Sequence, residues 1–246
     1  MNDTQPAAGI SPKALITGAT SGIGRAIAVQ LARDGFDVIV HGRDPGRGAQ
    51  VVSQIHGEGG KATFIAAELN DLREIGSLVG QAGDVEVLVN NSGFSWFGPT
   101  TDLPIEKFDE LFASNVRAAY FLVAAIAPRM VAQGHGSIIN LGSMAGQIGL
   151  AGGAAYSATK AALAALTRAW AAEFSPSGVR INAVAPGPVY TNGAAPERIK
   201  ALGDTTLLKR AAQADEIAQV VSFLASQRAS YITGAVIAAD AGRTAI

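Results

Sequence analysis

Short β-branched runs alternate with longer amphipathic stretches along almost the whole chain, and this alternation leaves few folds open. The runs predicted to be strands are Lys13–Thr17, Phe36–His41, Ala62–Ala66, Val85–Asn90, Gly136–Leu141, Val179–Val184 and Ala235–Ala238. The predicted helices are Gly22–Arg33, Arg47–His56, Leu72–Gln81, Ile105–Ala132 with a kink at Pro128, Ala154–Phe174 and Ala214–Ala225. Strands separated by helices pair in parallel, and right-handed crossovers place the helices on both faces. The sequence therefore predicts an α/β fold with a doubly wound, parallel seven-stranded sheet.

The composition is that of one compact domain. Hydrophobic residues make up 48% of the 246 residues and charged residues 16%, which provides a large core. We expect residues 1–12 to be a flexible lead-in and residues 13–246 to form a single domain. Within it, Pro186–Thr206 is the least regular stretch, and long irregular stretches in compact domains are usually functional. We therefore interpret residues 186–212 as a lid segment.

Several classes of protein do not fit this composition. The net charge of −1 lacks the basic surplus of a nucleic-acid binder, and the absence of cysteine removes thiolate chemistry. His41, His56 and His135 lack zinc-ligand spacing, so no metal site is expected. The start of the chain has no signal-peptide pattern, and the apolar run 118–127 is too short to span a bilayer. We expect a cytoplasmic protein that binds neither nucleic acid nor membrane.

A glycine-rich loop joins the first strand to the first helix. Gly18, Gly22 and Gly24 fit a tight turn, a close backbone approach to a pyrophosphate and close helix–strand packing, respectively. The helix N-terminus adds free N–H groups and a positive dipole end for phosphates. A ligand-free turn is the alternative, but the spacing directly after a strand favours a Rossmann-type dinucleotide site.

The end of the second strand bears on the choice between NAD and NADP. An acid there would bind the ribose 2′-hydroxyl, whereas an arginine would accept a 2′-phosphate. Asp44 precedes Pro45, the pattern of an N-cap followed by proline at the first helical position. That leaves Gly42 at the place of the acid and Arg43 beside it. NADP(H) is therefore favoured over NAD(H).

Four polar residues form a candidate catalytic set. Tyr156 and Lys160 are four apart and share a helix face, whereas Ser143 and Asn115 follow strands at the sheet edge where ligands bind. A carbonyl that receives a hydride needs a proton on its oxygen, and a lysine ammonium would lower the pKa of a nearby tyrosine. The serine hydroxyl can orient the carbonyl. Taken singly, each residue is more often a surface, turn or cap residue; together, behind a dinucleotide loop, they indicate catalysis.

At these residues the chain resembles the short-chain dehydrogenase/reductase family in its form of about 250 residues. The family's TGxxxGxG loop matches Thr17–Gly24, and its NNAG segment matches 90–93 with Ser92 in place of alanine. Its PGxxxT and YITG signatures match 186–191 and 231–234, and its D-x-G ending matches 240–242. The family's catalytic Asn–Ser–Tyr–Lys set falls on Asn115, Ser143, Tyr156 and Lys160.

The resemblance implies a role for each of these residues. Tyr156 would be the acid/base, Lys160 would also bind the nicotinamide ribose, and Asn115 would hold a water that links Lys160 to solvent. The residues expected at the cofactor are Gly18, Thr20, Ser21, Gly22, Ile23, Gly24, Arg43, Leu69, Asn91, Gly93, Tyr156, Lys160, Pro186, Gly187, Val189 and Thr191. The family also commonly forms homotetramers through its long helices, and the apolar surface of 161–166 is consistent with that.

Two positions depart from the family pattern. Glu68-Leu69 stands where the family often has Asp-Val beside the adenine. Ser21 stands where some NADP-binding members carry a basic residue.

The residues expected to contact the substrate are largely apolar. They are Ser95, Trp96, Phe97, Met144, Ile148 and Leu150. An apolar pocket favours an uncharged or hydrophobic small-molecule carbonyl. The chain is similar to 3-oxoacyl-carrier-protein reductases, and Lys209-Arg210 could meet an acidic carrier. A ketone, sugar or steroid alcohol, a non-catalytic NADPH-binding protein, and an isomerase or dehydratase remain alternatives.

Overall fold

The computed structural model describes residues 11–191 and 195–246. Most of the predicted lead-in, residues 1–10, and residues 192–194 of the predicted lid segment lie outside the described residues. The strands are β1 (Lys13–Ile16), β2 (Asp37–Gly42), β3 (Lys61–Ala66), β4 (Val87–Asn90), β5 (Gly136–Leu141), β6 (Val179–Pro186), β7 (Val189–Tyr190), β8 (Ala212–Gln213) and β9 (Val236–Ala239). The helices are α1 (Gly22–Arg33), α2 (Pro45–Gly57), α3 (Leu72–Ala82), α4 (Ile105–Phe112), α5 (Ala118–Gln133), α6 (Ala154–Phe174), α7 (Pro196–Gly203) and α8 (Ala214–Ala225).

Seven strands form one parallel sheet in the order β3-β2-β1-β4-β5-β6-β9. This confirms the predicted doubly wound, Rossmann-type sheet. Strands β1 to β3 are added towards one edge of the sheet and strands β4, β5, β6 and β9 towards the other, so the order of addition reverses between β1 and β4. In such sheets, ligands bind at this point, outside the carboxyl ends of the strands. The fold thus places the glycine loop after β1 and the Asn90-Asn91 segment of β4 side by side.

The core lies in two layers, one on each face of the sheet. Ala14 and Ile16 of β1 belong to the layer that contains buried residues of α1, α2 and α8. Leu15, between them, belongs to the layer of α3, α5 and α6. This alternation follows from the two-residue period of a strand, and both faces are apolar because both are covered.

The predicted helix over 105–132 is divided at a place that the sequence did not indicate. Residues Ala113–Arg117 form a π-helical turn between α4 and α5, whereas α5 continues through Pro128. The regular α-helical hydrogen-bond pattern is therefore interrupted at the π turn, upstream of Pro128. The run 105–133 is long and apolar enough to cross a membrane by length and composition. Its buried residues form part of the core layer with α3 and α6, which accounts for its hydrophobicity.

A chain of buried polar side chains connects β4, β5 and α6. Asn90 donates through Nδ2 to Oδ1 of Asn140 at 2.9 Å, and Nδ2 of Asn140 donates to Oγ1 of Thr167 at 2.8 Å. Thr167 in turn donates to the carbonyl of Leu163 at 2.8 Å. Buried amides are costly without partners, so these bonds fix the position of α6 on the sheet.

The segment interpreted as a lid has more regular structure than its proline and glycine content suggested. Strand β6 extends to Pro186, α7 occupies Pro196–Gly203, and β7 pairs in parallel with β8. Pro196 opens α7, a position where proline loses no helical hydrogen bond. The prolines therefore mark the boundaries of short elements.

Candidate active site

The glycine loop packs tightly against the start of α1. A Cβ atom at Gly24 would overlap the carbonyl of Gly18. Only glycine fits at this position, as the sequence pattern predicted. Ser21, the N-cap of α1, makes no side-chain capping bond, and the first turn carries no acidic residue. The N–H groups at this helix end are therefore suited to a phosphate, and a dinucleotide pyrophosphate fits here.

Side chains from neighbouring strands hold the loop in place. Asn91 Nδ2 donates to the carbonyls of Thr17 and Gly18 at 2.9 and 3.1 Å. Thr17 Oγ1 accepts the backbone N–H groups of Asn91 and Ser92, each at 3.0 Å. This agrees with the role that the family resemblance implied for Asn91, and it adds Thr17.

His41 is a structural support of the loop that sequence reasoning missed. Its Nδ1 accepts the N–H of Gly18 at 3.3 Å, and its Nε2 lies 3.1 Å from the carbonyl of Ala67. Because Nδ1 accepts a hydrogen bond and Nε2 faces a carbonyl oxygen, the ring proton is on Nε2. Burial lowers the pKa of His41, so the ring stays neutral near pH 7.

The end of β2 is crowded by the side chain of Thr20, which would have to move to admit an acidic side chain. A Cβ atom at Gly42 would come within 2.5 Å of Cγ2 of Thr20. Asp44 caps α2 by accepting the N–H of Arg47 at 3.1 Å, which confirms its predicted capping role. The Arg43 side chain is 74% exposed and lies 3.4 Å from Glu68. An exposed ion pair of this kind is weak, so the guanidinium can exchange partners.

Lys160 lies buried beneath Tyr156 on α6. Its Nζ is 5.7 Å from the centroid of the Tyr156 ring and donates to the carbonyl of Leu141 at 2.7 Å. Burial lowers the pKa of Lys160 to about 8. The end of β5 therefore holds the lysine through one backbone carbonyl, close to the phenol.

The Tyr156 hydroxyl behaves differently from the sequence-based expectation. Burial raises its pKa, and hydrogen bonding to Ser143 acts in the opposite direction. The net pKa shift of Tyr156 is therefore opposite in direction to the one expected from Lys160 alone, because desolvation of the phenol outweighs its hydrogen bonding. Ser143 also caps a 3-10 turn, accepting the N–H of Ala145 at 3.1 Å.

Asn115 joins the loop after β4 to α6 from within the π turn. Its Nδ2 donates to the carbonyl of Phe94 at 2.9 Å and to Oγ1 of Thr159 at 3.1 Å. Its Oδ1 accepts the N–H of Phe94 at 3.0 Å, and Gly93 packs against the same amide. The side chain is thus fully engaged within the protein. A π turn often marks a functional site, but sequence periodicity does not reveal one.

The remaining residues expected at the cofactor gather at the same edge. Thr191 lies against Gly22 of the glycine loop, and the N–H of Gly187 donates to the carbonyl of Ala239 at 3.1 Å. Val189 and Leu69 are buried. The fold therefore brings the PGxxxT segment to the glycine loop from the far end of the sequence.

The residues expected at the substrate have different surroundings. The Phe97 ring lies 5.6 Å from the Tyr156 ring, centroid to centroid, at an angle of 58°. Trp96 instead lines an apolar cavity of about 440 Å³ together with residues of α4 and α6. Met144 is buried, Ile148 and Leu150 are half-buried, and Ser95 is exposed. Arg198 of α7, which the sequence did not single out, lies over Phe97, its Cζ 5.0 Å from the ring centroid.

Comparison with known proteins agrees with this architecture. The short chain dehydrogenase family model matches residues 12–201. A cyclopentanol dehydrogenase of Comamonas sp. is 34% identical, over 94% of this chain and 96% of its own. A 3-oxoacyl-[acyl-carrier-protein] reductase of Staphylococcus epidermidis is 35% identical, over 95% and 99%. A solved structure assigned as an NAD(P)-dependent gluconate 5-dehydrogenase of Beutenbergia cavernae, with bound NADP, is 36% identical and has a TM-score of 0.91, covering 96% of this chain and 97% of that one.

The chain belongs to the short-chain dehydrogenase/reductase family. It is an oxidoreductase that acts on CH–OH groups or the corresponding carbonyls with NAD(P).

Proposed function

We propose that the chain is an NADP(H)-dependent reductase of small-molecule ketones in which Tyr156 is the proton donor. The observation that carries the proposal is the stack of Lys160 beneath Tyr156, with Ser143 acting on the same hydroxyl. Ser143 follows β5 and the other two lie on α6, at the same carboxyl edge of the parallel sheet as the glycine loop after β1. A bound nicotinamide supplies the hydride.

The pKa values of the site favour the direction of reduction. The raised pKa of Tyr156 keeps the phenol protonated near neutrality, the form that donates to a carbonyl oxygen. Ser143 holds that oxygen against the phenol, and the Lys160 ammonium stabilises the phenolate that remains. Asn115 positions the loop and helix around this pair. In the opposite direction Tyr156 accepts the alcohol proton.

The preference for NADP(H) is supported by the end of β2. Gly42 abuts Thr20 and supplies no acid that would bind a ribose 2′-hydroxyl. Arg43 is free to leave its surface pair with Glu68 for a 2′-phosphate, which offers bidentate bonds. The remaining cofactor contacts are those of the glycine loop, Leu69, Asn91, Gly93 and the segment from Pro186 to Thr191.

The substrate is a ketone that enters between Tyr156 and the segment 186–212, which acts as a lid. A 3-oxoacyl thioester is one candidate, since one of the relatives is named as a reductase of that substrate. The other two relatives are named for a cyclic alcohol and a sugar acid, so another ketone, a sugar or a steroid alcohol is the second candidate.

The assembly is a homotetramer in the cytoplasm. Exposed aromatic side chains of α4 and α5, namely Phe108, Tyr120 and Phe121, support a contact between subunits along these helices. Tyr231, fully exposed near β9, supports a second contact elsewhere on the surface. Sedimentation of the purified protein tests this assembly, and a monomer at micromolar concentration contradicts it.

A panel of ketones and alcohols with NADPH and NADH, followed at the nicotinamide absorbance, tests the proposal. We expect NADPH-dependent ketone reduction in wild type and its loss in Tyr156→Phe. Reduction that is faster with NADH contradicts the cofactor assignment. Turnover of an acyl thioester no better than that of unrelated ketones removes the carrier-protein candidate.

A further inference from the structure

Arg198 places a positive charge at the mouth of the candidate active site. Its guanidinium lies over the Phe97 ring, and the Phe97 ring packs against Tyr156. Arg198 Cζ is 5.0 Å from the Phe97 centroid, and that centroid is 5.6 Å from the centroid of Tyr156. The sum of these two distances is an upper limit on the separation of the guanidinium from the phenol ring. Phe97 is 38% exposed, so the pair is at the rim and not in the core.

Arg198 has no acidic partner among the described residues, whereas two other basic residues of its segment do. Lys200, on the same helix, pairs with Asp204 at 3.0 Å. Arg210, at the end of the lid segment, pairs with Glu216 at 2.7 Å. Lys209, which also has no acidic partner among the described residues, donates to the backbone carbonyl of Asp204 at 3.4 Å. No ion pair or hydrogen bond of the Arg198 side chain occurs within residues 11–191 and 195–246; its contact there is the face of Phe97.

We infer that Arg198 binds an oxyanion on the substrate, a carboxylate or a phosphate located several bonds from the carbonyl that Tyr156 protonates. The inference rests on the proposed function and narrows its substrate class. A guanidinium stacked on an aromatic ring keeps its N–H edge free, and that planar edge matches the two oxygens of a carboxylate or phosphate. Phe97 serves as a spacer that holds the charge at a fixed distance from the phenol, alongside the carbon chain of the substrate.

The alternative role for this contact is a latch that holds α7 against the loop of Phe97. A latch would help every substrate equally, whereas an oxyanion site discriminates between charged and neutral ketones. The two roles are therefore separated by comparing matched ligands.

Binding without turnover provides the test. A series of straight-chain oxo acids, with increasing separation of ketone and carboxylate, is titrated by calorimetry into wild-type protein with saturating NADP+, which cannot reduce a ketone. Each acid is compared with its methyl ester, and dihydroxyacetone phosphate with dihydroxyacetone. We expect at least one charged ligand to bind at least about tenfold more tightly than its neutral counterpart, the scale of a charged hydrogen bond. The acid and phosphate arms identify the oxyanion.

Three variants complete the test. Arg198→Gln should abolish the tighter binding of the charged ligand and leave the dissociation constants of neutral ketones within about twofold of wild type. Arg198→Lys, which keeps the charge, should retain part of the tighter binding. Lys200→Gln removes the same charge two residues away and should keep the advantage. Equal binding of every charged and neutral pair to wild type, or an advantage that survives Arg198→Gln, overturns the inference. Because oxidised cofactor is used, these results stand apart from whether any ketone is reduced, which tests the proposed function.

Discussion

The amino group of Lys160 lies 5.7 Å from the centroid of the Tyr156 ring and is hydrogen-bonded to the carbonyl of Leu141 at 2.7 Å. The same burial that raises the pKa of the phenol lowers that of the lysine. The two pKa values are thus shifted apart, with that of the lysine near 8 and that of the tyrosine raised above its ordinary value. Above pH 8 the site therefore favours a neutral phenol beside a neutral amine, and the lysine is the first of the two groups to lose its proton.

Removal of the Tyr156 hydroxyl should abolish proton transfer while leaving the cofactor site intact. We expect Tyr156→Phe to lower kcat by at least about 100-fold, the low end of acid–base contributions. Binding of NADPH, measured by fluorescence titration, should change by less than about threefold, a free energy below roughly 1 kcal/mol. Near-normal turnover in this variant would refute the role of Tyr156.

The ammonium form of Lys160 sets an upper pH limit on reduction. Its pKa of about 8 means that the charge is lost as the pH rises through that value. The kcat/KM for the ketone should therefore fall above about pH 8 in wild type. Lys160→Met should reduce kcat/KM at neutral pH by roughly 100-fold, from the loss of a nearby charge, and should lose this alkaline limb. A wild-type profile that is flat to pH 10 contradicts the assignment.

The same lysine makes stability depend on pH in a defined window. Its folded pKa of about 8 is below the ordinary 10.5, so between these values the unfolded chain binds more protons than the folded one. Stability should thus rise with pH across the window, by about 3 kcal/mol in total. The free energy of unfolding in urea is measured for wild type and for Lys160→Met at pH 7.5 and 10.5. The difference between the two proteins at each pH isolates this contribution. A wild-type advantage in the free energy of unfolding that stays constant or falls as the pH rises would contradict this prediction.

The end of β2 offers a matched pair of substitutions for cofactor choice. Gly42→Asp should weaken NADPH binding by at least about tenfold, because the acid repels the 2′-phosphate and its Cβ crowds Thr20. Gly42→Ala introduces the same crowding without the charge. NADPH and NADH dissociation constants for both variants therefore separate the two effects. Equal losses for both cofactors in both variants would leave crowding as the sole cause.

Two helical glycines should respond oppositely to alanine. Gly24→Ala places a Cβ into the Gly18 carbonyl, and we expect a loss of about 1–3 kcal/mol together with weaker cofactor binding. Gly80 of α3 has open space around its Cβ position, so Gly80→Ala should stabilise the protein by about 0.5–1 kcal/mol. Thermal unfolding with and without NADPH measures both. A neutral Gly24→Ala would show that the loop can move away from α1.

Local patterns predicted most of the fold because strand and helix periods and caps are short-range properties. The β1–loop–α1 unit and the Asp44 cap are of this kind. The hydrogen bonds of Asn115 to Phe94 and Thr159, the His41 support and the Arg198–Phe97 contact join residues far apart in sequence. No periodicity encodes such contacts. The pKa of Tyr156 was misjudged for the same reason, since the charge of Lys160 was visible in the sequence but the burial of the phenol was not.

The Asn90–Asn140–Thr167 chain has a consequence for how the protein can evolve. Thr167 is on the same helix as Tyr156, so this polar connection sets how far α6 can slide along the sheet. A shift of α6 by one residue would break the bond to Thr167 and leave the buried Nδ2 of Asn140 without its partner, a cost that purely apolar contacts would not impose. Substitutions in the lid and the surface loops can therefore change the substrate without moving α6, whereas the depth of the phenol beside the nucleotide loop depends on the Asn140–Thr167 bond.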